Sequence, residues 1–301
     1  MTDLVTDLKE KFRRGDMVTQ LIFINVGVFV ITALIQLVLF LFNLDAKAVL
    51  LYASLPADLG ALATRPWGAI TYMFMHDGIF HILFNMLILY WFGGFFLNYF
   101  SAKHLRGLYF LGGLIGGIFF IAAYHIFPIF ENNILGASLV GASASVLSIM
   151  IAIACKVPNH SVRLLFIGAI KLKYLALIII ILDLITITGN NPGGHIAHLG
   201  GAFAGYLFVL GLSKGWDLTS WINKVLDFPI HIKRKYQEAK KRKNMKVVKD
   251  KTYAKRSEDY QYNSEKKAST EEIDRILDKI KESGYTKLTE EEKRKLFNAG
   301  K

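Results

Sequence analysis

The sequence predicts an all-α membrane protein, a bundle of six transmembrane helices followed by a basic tail that reads as cytoplasmic. Three observations carry that prediction. The 301 residues are 53% hydrophobic, against roughly 45–50% in soluble globular chains. The apolar residues gather in runs long enough to cross a bilayer. Charge is divided unevenly: residues 1–213 hold 12 Lys/Arg and 9 Asp/Glu, whereas residues 214–301 hold 24 and 15, which is +9 of the net +12. Such a break separates a membrane body from a water-exposed segment.

A transmembrane helix needs about 20 mostly apolar residues. Six stretches qualify, near 18–43, 78–100, 105–127, 137–155, 170–188 and 194–213. Lys171 and Lys173 interrupt the fifth run, so its span proper starts near Leu172 and 162–169 is placed at the interface. Residues 1–17 read as a cytoplasmic N-terminal segment, 18–213 as the six-span domain and 214–301 as the tail. Residues 1–16 are too charged for a cleavable signal. The run 17–42 also exceeds a signal core of about 7–15 residues, so the first span is expected to stay. The connection 44–77 is apolar but broken by Pro56 and Pro66, which suits short helices at the outer interface.

Basic residues set the orientation. Lys9, Lys11, Arg13 and Arg14 precede the first span. Lys103 and Arg106 follow the second, and Lys156 and Arg163 the fourth. The loops 128–136 and 189–193 carry none. Both termini are therefore expected in the cytoplasm, in a multi-pass protein of a cell (plasma or inner) membrane.

The tail reads in two parts. Residues 229–256 are dense in Lys and Arg and are expected to lie loose at the membrane surface. Each basic residue near an anionic leaflet is worth about 1 kcal/mol, so anionic lipid headgroups are an expected partner. No nucleic-acid recognition motif is visible, and no nucleic acid is expected. In 270–298, Ile273, Ile276, Leu277 and Ile280 recur at helical spacing behind Thr270, a candidate N-cap. Cys155 is the only cysteine. It excludes an intramolecular disulfide and reads as a small buried hydrophobe at a helix end.

Polar groups inside spans are costly and are usually paired or functional. Here they are His81, Asn85, His125, Asp183, His195 and His198, with serines at 138, 143, 145 and 148. His81 and Asn85 are four apart and share a helix face. Ser143 lies in GASLVGASASV, and His198 in GGHIAHLGGAFAG. Both stretches are rich in small residues that let helix backbones approach closely. A serine hydroxyl becomes a useful nucleophile when a base within about 2.6–3.2 Å takes its proton, and His198 is the candidate base. His81 and Asn85 are candidate donors to an oxyanion formed as a carbonyl is attacked.

HILFN in the second span, GASA in the fourth and HLGGAFAG in the sixth, in that order, resemble the rhomboid family of intramembrane serine proteases. The resemblance covers about residues 18–213 and implies a six-helix rhomboid-like bundle. It implies catalysis by a Ser143–His198 dyad without an acidic third member. His81, Asn85 and the Ser143 backbone N–H would stabilise the oxyanion, and neither cofactor nor metal is implied. Substrates would be single-pass membrane proteins with small or helix-breaking residues near the cut. Three departures stand out. Ala144 replaces the second glycine common in G-x-S-G. Gly68 follows Trp67 where many members carry arginine, which would remove that arginine's loop-anchoring role. Leu147 replaces an aromatic ring that often lies against the histidine.

Other readings are weaker. A zinc site built from His76, His81, His195 and His198 lacks the His-Glu-x-x-His helix of zinc proteases, and Glu131 is the one glutamate between residues 11 and 237. A transporter predicts inverted repeats, and none is visible. A catalytically inactive rhomboid-like protein that binds membrane clients would ordinarily have lost Ser143 or His198. His76, His125 and His195 read as packing or hydrogen-bonding residues near the outer surface, Ser138 and Ser145 as packing residues. Asp183 reads as a carboxylate held by a structural partner such as a helix-end amide.

Overall fold

A computed structural model describes residues 2–164, 168–285 and 288–299. The chain divides into two compact units, Met1–Asp227 and Phe228–Lys301. The first begins with the charged α1 (Thr2–Arg14) and the apolar α2 (Met17–Leu41). Asp16 caps α2 by accepting from the Thr19 N–H at 2.8 Å. Three short helices follow, α3 (Ala48–Ala53), α4 (Leu59–Thr64) and α5 (Gly68–Thr71), with strand β1 (Leu55–Pro56) between the first two. The long apolar helices α6 (Ile79–Phe96) and α7 (Ala102–Ile126) come next, then strand β2 (Ser138–Leu139) and α8 (Ser143–Lys156). A hairpin of β3 (Ser161–Leu164) and β4 (Gly168–Lys171) leads into α9 (Leu172–Thr186) and α10 (Pro192–Ser213).

Helices α2, α6, α7 and α10 are long and apolar enough to cross a membrane. The chain is a multi-pass membrane protein. Helices α8 and α9 are shorter, 14 and 15 residues, or about 21–23 Å at 1.5 Å per residue. The fourth apolar run is therefore not helical over all of 137–155. Its first residues are extended: Leu55 pairs with Leu139 and Pro56 with Ser138, and the Ala57 N–H donates to the Ala137 carbonyl at 3.0 Å. Gly141, at φ +128°, then turns the chain into the helix. The fifth run differs too, because part of 162–169 pairs in the β3–β4 hairpin. Residues 165–167 of that stretch lie outside the described residues.

Helix α10 packs on α7, α8 and α9, and α8 also packs on α6 and α7. Helix α2 joins this core through a buried polar link. Asn25, fully buried, donates from Nδ2 to Tyr109 Oη at 3.1 Å, and Tyr109 donates to the Met73 carbonyl at 2.8 Å. An amide inside an apolar span is costly unless bonded in this way. The 44–77 connection is anchored by Arg65, which donates to the Leu51 carbonyl at 2.9 Å, and by Trp67, which donates to the Tyr52 carbonyl at 3.0 Å. An anchoring arginine is thus present two residues before the tryptophan. At position 68 an added Cβ would collide with the Ser54 carbonyl oxygen, so no side chain fits there.

The compact unit runs past residue 213. Helix α11 (Ser220–Ser283) begins with residues that belong to it. Thr219 is fully buried, and an added Cβ on Gly107 would strike it. Arg106 donates from Nη2 to Asp227 Oδ1 at 2.8 Å and from Nε to Asn223 Oδ1 at 3.0 Å. Asn223 donates to the Lys103 carbonyl at 3.0 Å.

In the second unit, α11 continues through the basic 229–256 stretch, where composition predicts a loose chain. Lys, Arg, Glu and Gln are good helix formers, which favours this outcome. Thr270 is not an N-cap. It lies inside α11 and donates to the Lys266 carbonyl at 2.9 Å. The helix ends before Gly284, at φ +80°. Helix α12 (Glu290–Ala299) starts with a capping box, in which the Thr289 N–H donates to Glu292 Oε2 and the Glu292 N–H to Thr289 Oγ1. Lys279–Glu292 and Lys295–Glu272 ion pairs, at 2.8 and 2.7 Å, join the two helices around buried Ile276 and Leu288.

Truncation after Asp227 should leave the first unit intact, whereas truncation at residue 216 should lower its thermal midpoint in detergent. The loss should correspond to about 2 kcal/mol or more, since one charged hydrogen bond is worth about 1.5–3 kcal/mol. Equal midpoints would show that the start of α11 does not stabilise the bundle. The Arg106 hydrogen bond holds the Asp227 carboxyl below its ordinary range. Its contribution is therefore complete above the unfolded-state value of about 3.9 and is lost as pH falls through the lower folded value.

Candidate functional site

Ser143 is the first residue of α8, and its position is set from before and behind. Before it, the β1–β2 pair holds the extended segment, and the Gly141 N–H donates to the Tyr72 carbonyl at 2.9 Å. Gly141 has the positive φ that favours glycine. An added Cβ there would lie 2.8 Å from His81 Nε2 and 3.5 Å from Ser143 Oγ. Glycine thus keeps open the space that both atoms border. Behind it, α8 supplies a helix N-terminus, whose first N–H groups lack intrahelical acceptors and carry the positive end of the helix dipole.

His198 lies on α10, which opens with Asn191 as N-cap and Pro192 at its first turn. The two helices meet backbone to backbone. An added Cβ on Gly201 would collide with the Ala144 carbonyl, and one on Gly205 with the Ser148 carbonyl. This close approach lets short side chains bridge the helices. His198 Nε2 lies 2.7 Å from Ser143 Oγ. On its other side, His198 Nδ1 lies 2.9 Å from Asp183 Oδ1. A carboxylate only accepts, so Nδ1 carries the proton, and Nε2 is left to accept from the serine hydroxyl.

Asp183 therefore departs from both expectations attached to it. Its partners are imidazoles rather than a helix-end amide, and the Ser143–His198 pair does have an acidic neighbour. His195 Nδ1 lies 2.8 Å from the same Asp183 Oδ1 and 3.2 Å from Thr186 Oγ1. Asp183 is 6% exposed, and its Oδ2 has no hydrogen-bond partner among the described residues. The sequence did flag this carboxylate in an apolar run. Which side of α9 it faces, and hence its partner, is a matter of helix rotation that spacing does not fix.

Ser143, His198 and Asp183 line a cavity of about 430 Å³ between α6, α8, α9 and α10. Its remaining wall is mostly apolar, with Leu147, Ile179 and Leu182, and it includes Asn85. Asn85 is buried and donates one N–H to the His81 carbonyl at 3.0 Å. His81 lines a neighbouring cleft of about 540 Å³ with Lys47, Asp77 and Ser138. His76 is buried at 2% exposure, with its ring against that of His81, as a packing residue would be. His125 is exposed and bonded through Nδ1 to the Ile121 carbonyl at 2.9 Å. Cys155 is exposed, not buried.

Among the described residues, Asp183, His195 and His198 have ligand atoms within 4.8 Å of one another, close enough to share a cation. In this arrangement those atoms are spent on each other and on Ser143.

The methyl of Ala144 points at Gly116 of α7, where an added Cβ would sit 2.7 Å from it and 2.8 Å from the Ala197 carbonyl oxygen. The bare glycine on α7 makes room for the alanine on α8. Gly116→Ala should destabilise the bundle by about 1–3 kcal/mol, the usual cost of overpacking. Adding Ala144→Gly should restore only part of the thermal midpoint, because the Ala197 carbonyl contact remains. Full restoration would show that Ala144 alone fills the space.

Comparison with known proteins adds to this geometry. A model of the Rhomboid domain matches residues 63–215, about half of the chain. A second model, of the family of unknown function DUF6576, matches residues 256–298. The chain is 30% identical over 155 residues to RHOMBOID-like protein 12, mitochondrial, of Arabidopsis thaliana. That match covers 48% of this chain and 46% of the relative. It is 28% identical over 156 residues to Presenilin-associated rhomboid-like protein A, mitochondrial, of Danio rerio, covering 50% of this chain and 38% of that protein. The chain thus matches less than half the length of these curated relatives. With a Rhomboid domain spanning α5 to α10 and a serine and a histidine meeting between α8 and α10, this chain belongs to the rhomboid family.

Proposed function

We propose that the protein is an intramembrane serine endopeptidase that hydrolyses a peptide bond in or near the transmembrane segment of a membrane-protein substrate. One observation supports this most directly: His198 Nε2 is 2.7 Å from Ser143 Oγ at the mouth of a helix N-terminus. That distance is within the reach a general base needs.

In the proposed reaction Ser143 Oγ attacks the scissile carbonyl carbon as His198 Nε2 takes its proton. The resulting oxyanion is held by the Ser143 backbone N–H, His81 and Asn85. Collapse breaks the C–N bond, and His198 returns the proton to the leaving amine. Water, deprotonated by His198, then cleaves the acyl ester and regenerates Ser143. The apolar cavity fits an unwound transmembrane segment, and the polar cleft beside His81 supplies a route for water.

Read with their flanking segments as two further spans, α8 and α9 would bring the four long apolar helices to six. The basic loops put both termini on the cytoplasmic side of a cell membrane, and the basic tail favours anionic lipid headgroups. Both curated relatives are called mitochondrial, a location that stays with them. Family resemblance favours single-pass substrates, with 189–194 as a capping loop and α9 as the helix that moves to admit them.

Purified wild-type protein should react with a fluorophosphonate probe and cleave a single-pass substrate in detergent or liposomes. Ser143→Ala should abolish both with the fold intact, because alanine suits the small-residue contact. His198→Ala should do the same. Ser145→Ala should retain activity, since Ser145 Oγ is buried without a partner. His195→Ala should keep most activity, because His195 is not the residue at Ser143 Oγ. A well-folded Ser143→Ala protein that still cleaves would sink the reading. A wild-type protein that binds substrates without labelling or cleaving would favour the client-binding alternative.

The oxyanion side has its own test. Removing one donor costs about 10²–10³ in rate in other serine hydrolases. Asn85→Ala and His81→Ala should each weaken kcat without erasing it, because the Ser143 N–H remains. Unchanged kcat in the double variant would mean that another group holds the charge.

A further inference from the structure

We infer that Asp183 is the positioning residue of the site, so that the working unit is Asp183–His198–Ser143 rather than a dyad. The inference rests on the protease reading above for its kinetic consequences, but its geometric content stands apart from it.

The atoms form a continuous relay. Asp183 Oδ1 lies 2.9 Å from His198 Nδ1, and His198 Nε2 lies 2.7 Å from Ser143 Oγ. An acceptor-only group at Nδ1 selects the tautomer whose Nε2 has its lone pair toward the hydroxyl. Without that group, a neutral imidazole can place its proton on Nε2 and then cannot accept from serine. Among the described residues lining the cavity, no other group contacts His198 Nδ1. Leu147, its apolar neighbour from α8, offers neither a hydrogen bond nor a ring face.

The second argument is energetic. Asp183 is 6% exposed in a wall with Leu147, Ile179 and Leu182, and its Oδ2 has no partner among the described residues. A carboxylate in such a wall is costly and is kept where it is paired or used. Its two imidazole donors both bond Oδ1 and leave Oδ2 unmatched among the described residues. When His198 accepts the serine proton, the positive charge formed is 2.9 Å from that carboxylate oxygen. The interaction is thus strongest in the charged transition state, where stabilisation raises kcat rather than lowering KM. The proton itself stays on His198 until it passes to the leaving amine, and Asp183 remains ionised throughout.

His195 forms the second arm. Its Nδ1–H is shared between Asp183 Oδ1 at 2.8 Å and Thr186 Oγ1 at 3.2 Å. Thr186 spends its own hydroxyl proton on the Leu182 carbonyl, at 2.6 Å. His195 thus holds the same carboxylate oxygen that His198 contacts.

The test uses full-length protein in detergent. Asp183→Asn keeps the shape and removes the charge, Asp183→Ala removes the hydrogen bond as well, and Asp183→Glu restores a carboxylate. Expected results are a fall in kcat of about 100-fold or more for Asp183→Asn, as when the analogous charge is removed from other serine proteases. KM should stay within about threefold, the fluorophosphonate labelling rate should fall in parallel, and Asp183→Glu should recover part of both. A purely structural residue would instead change the amount of folded protein, not the kcat-to-KM split. Independently of activity, 15N NMR of the His198 ring should report an Nδ1–H tautomer in the wild type and a gain of the Nε2–H form in Asp183→Ala. Wild-type kcat in folded Asp183→Asn and Asp183→Ala, with an unchanged His198 tautomer, overturns the inference. A tautomer shift in Asp183→Ala, alongside a wild-type protein that neither labels nor cleaves, upholds the positioning of His198 and discards the protease reading alone.

Discussion

The contact on which the site depends is the backbone approach of α8 and α10. Gly201 and Gly205 lie so near the carbonyls of Ala144 and Ser148 that no Cβ fits. Within a bilayer there is no hydrophobic force between helices, so association relies on close packing, and small residues permit it. The consequence is chemical. Serine and histidine side chains are short, and a gap wider by one methyl would stretch the 2.7 Å separation beyond a hydrogen bond. Helix α7 finishes the arrangement by offering glycines to the same junction, Gly112 to Ser148 and Gly116 to Ala144. Two glycine-bearing helices thus close on the small residues Ala144 and Ser148 of the third.

The second constraint acts on the chain before α8. Had 137–155 been one helix, Ser143 would lie in its interior with its N–H bonded to a carbonyl four residues earlier. Instead, pairing with Leu55–Pro56 and the turn at Gly141 start the helix at Ser143. The same residue then presents a hydroxyl and an unspent N–H at the positive end of a helix dipole. The short helices after α2 thus help set where α8 begins, and Arg65 and Trp67 hold them in place.

Much of this was legible in the sequence, and the limits are physical. Long apolar runs bounded by charge located α2 and α10 within a few residues, at Met17–Leu41 and Pro192–Ser213. Ser143 and His198 stood out because a hydroxyl and an imidazole sat among glycines and alanines. The extended 137–142 segment did not, because hydropathy has no way to separate a short buried strand from a helix, and its pairing partner is a distant β1. Cys155 was misplaced for a related reason. Which face of an element meets protein is set by rotation and neighbours, not by composition. The boundary at 213 was drawn on charge, whereas Thr219, Asn223 and Asp227 are polar residues that pack on the bundle through hydrogen bonds.

Asp183 joins these constraints, because it sits on α9 rather than on the α8–α10 junction. Helix α9 packs on α10 and α8, and it supplies Ile179 and Leu182 to the cavity wall. One helix therefore carries both the apolar surface next to the serine and the carboxylate that contacts His198. Asp183 Oδ1 reaches both imidazoles across the contact between α9 and α10. The helix is short, about 22 Å by its rise per residue, against a hydrocarbon thickness of about 30 Å. Its ends are therefore less constrained by the bilayer than those of α7 or α10. The relay from Asp183 through His198 to Ser143 therefore depends on the packing of α9 against α8 and α10.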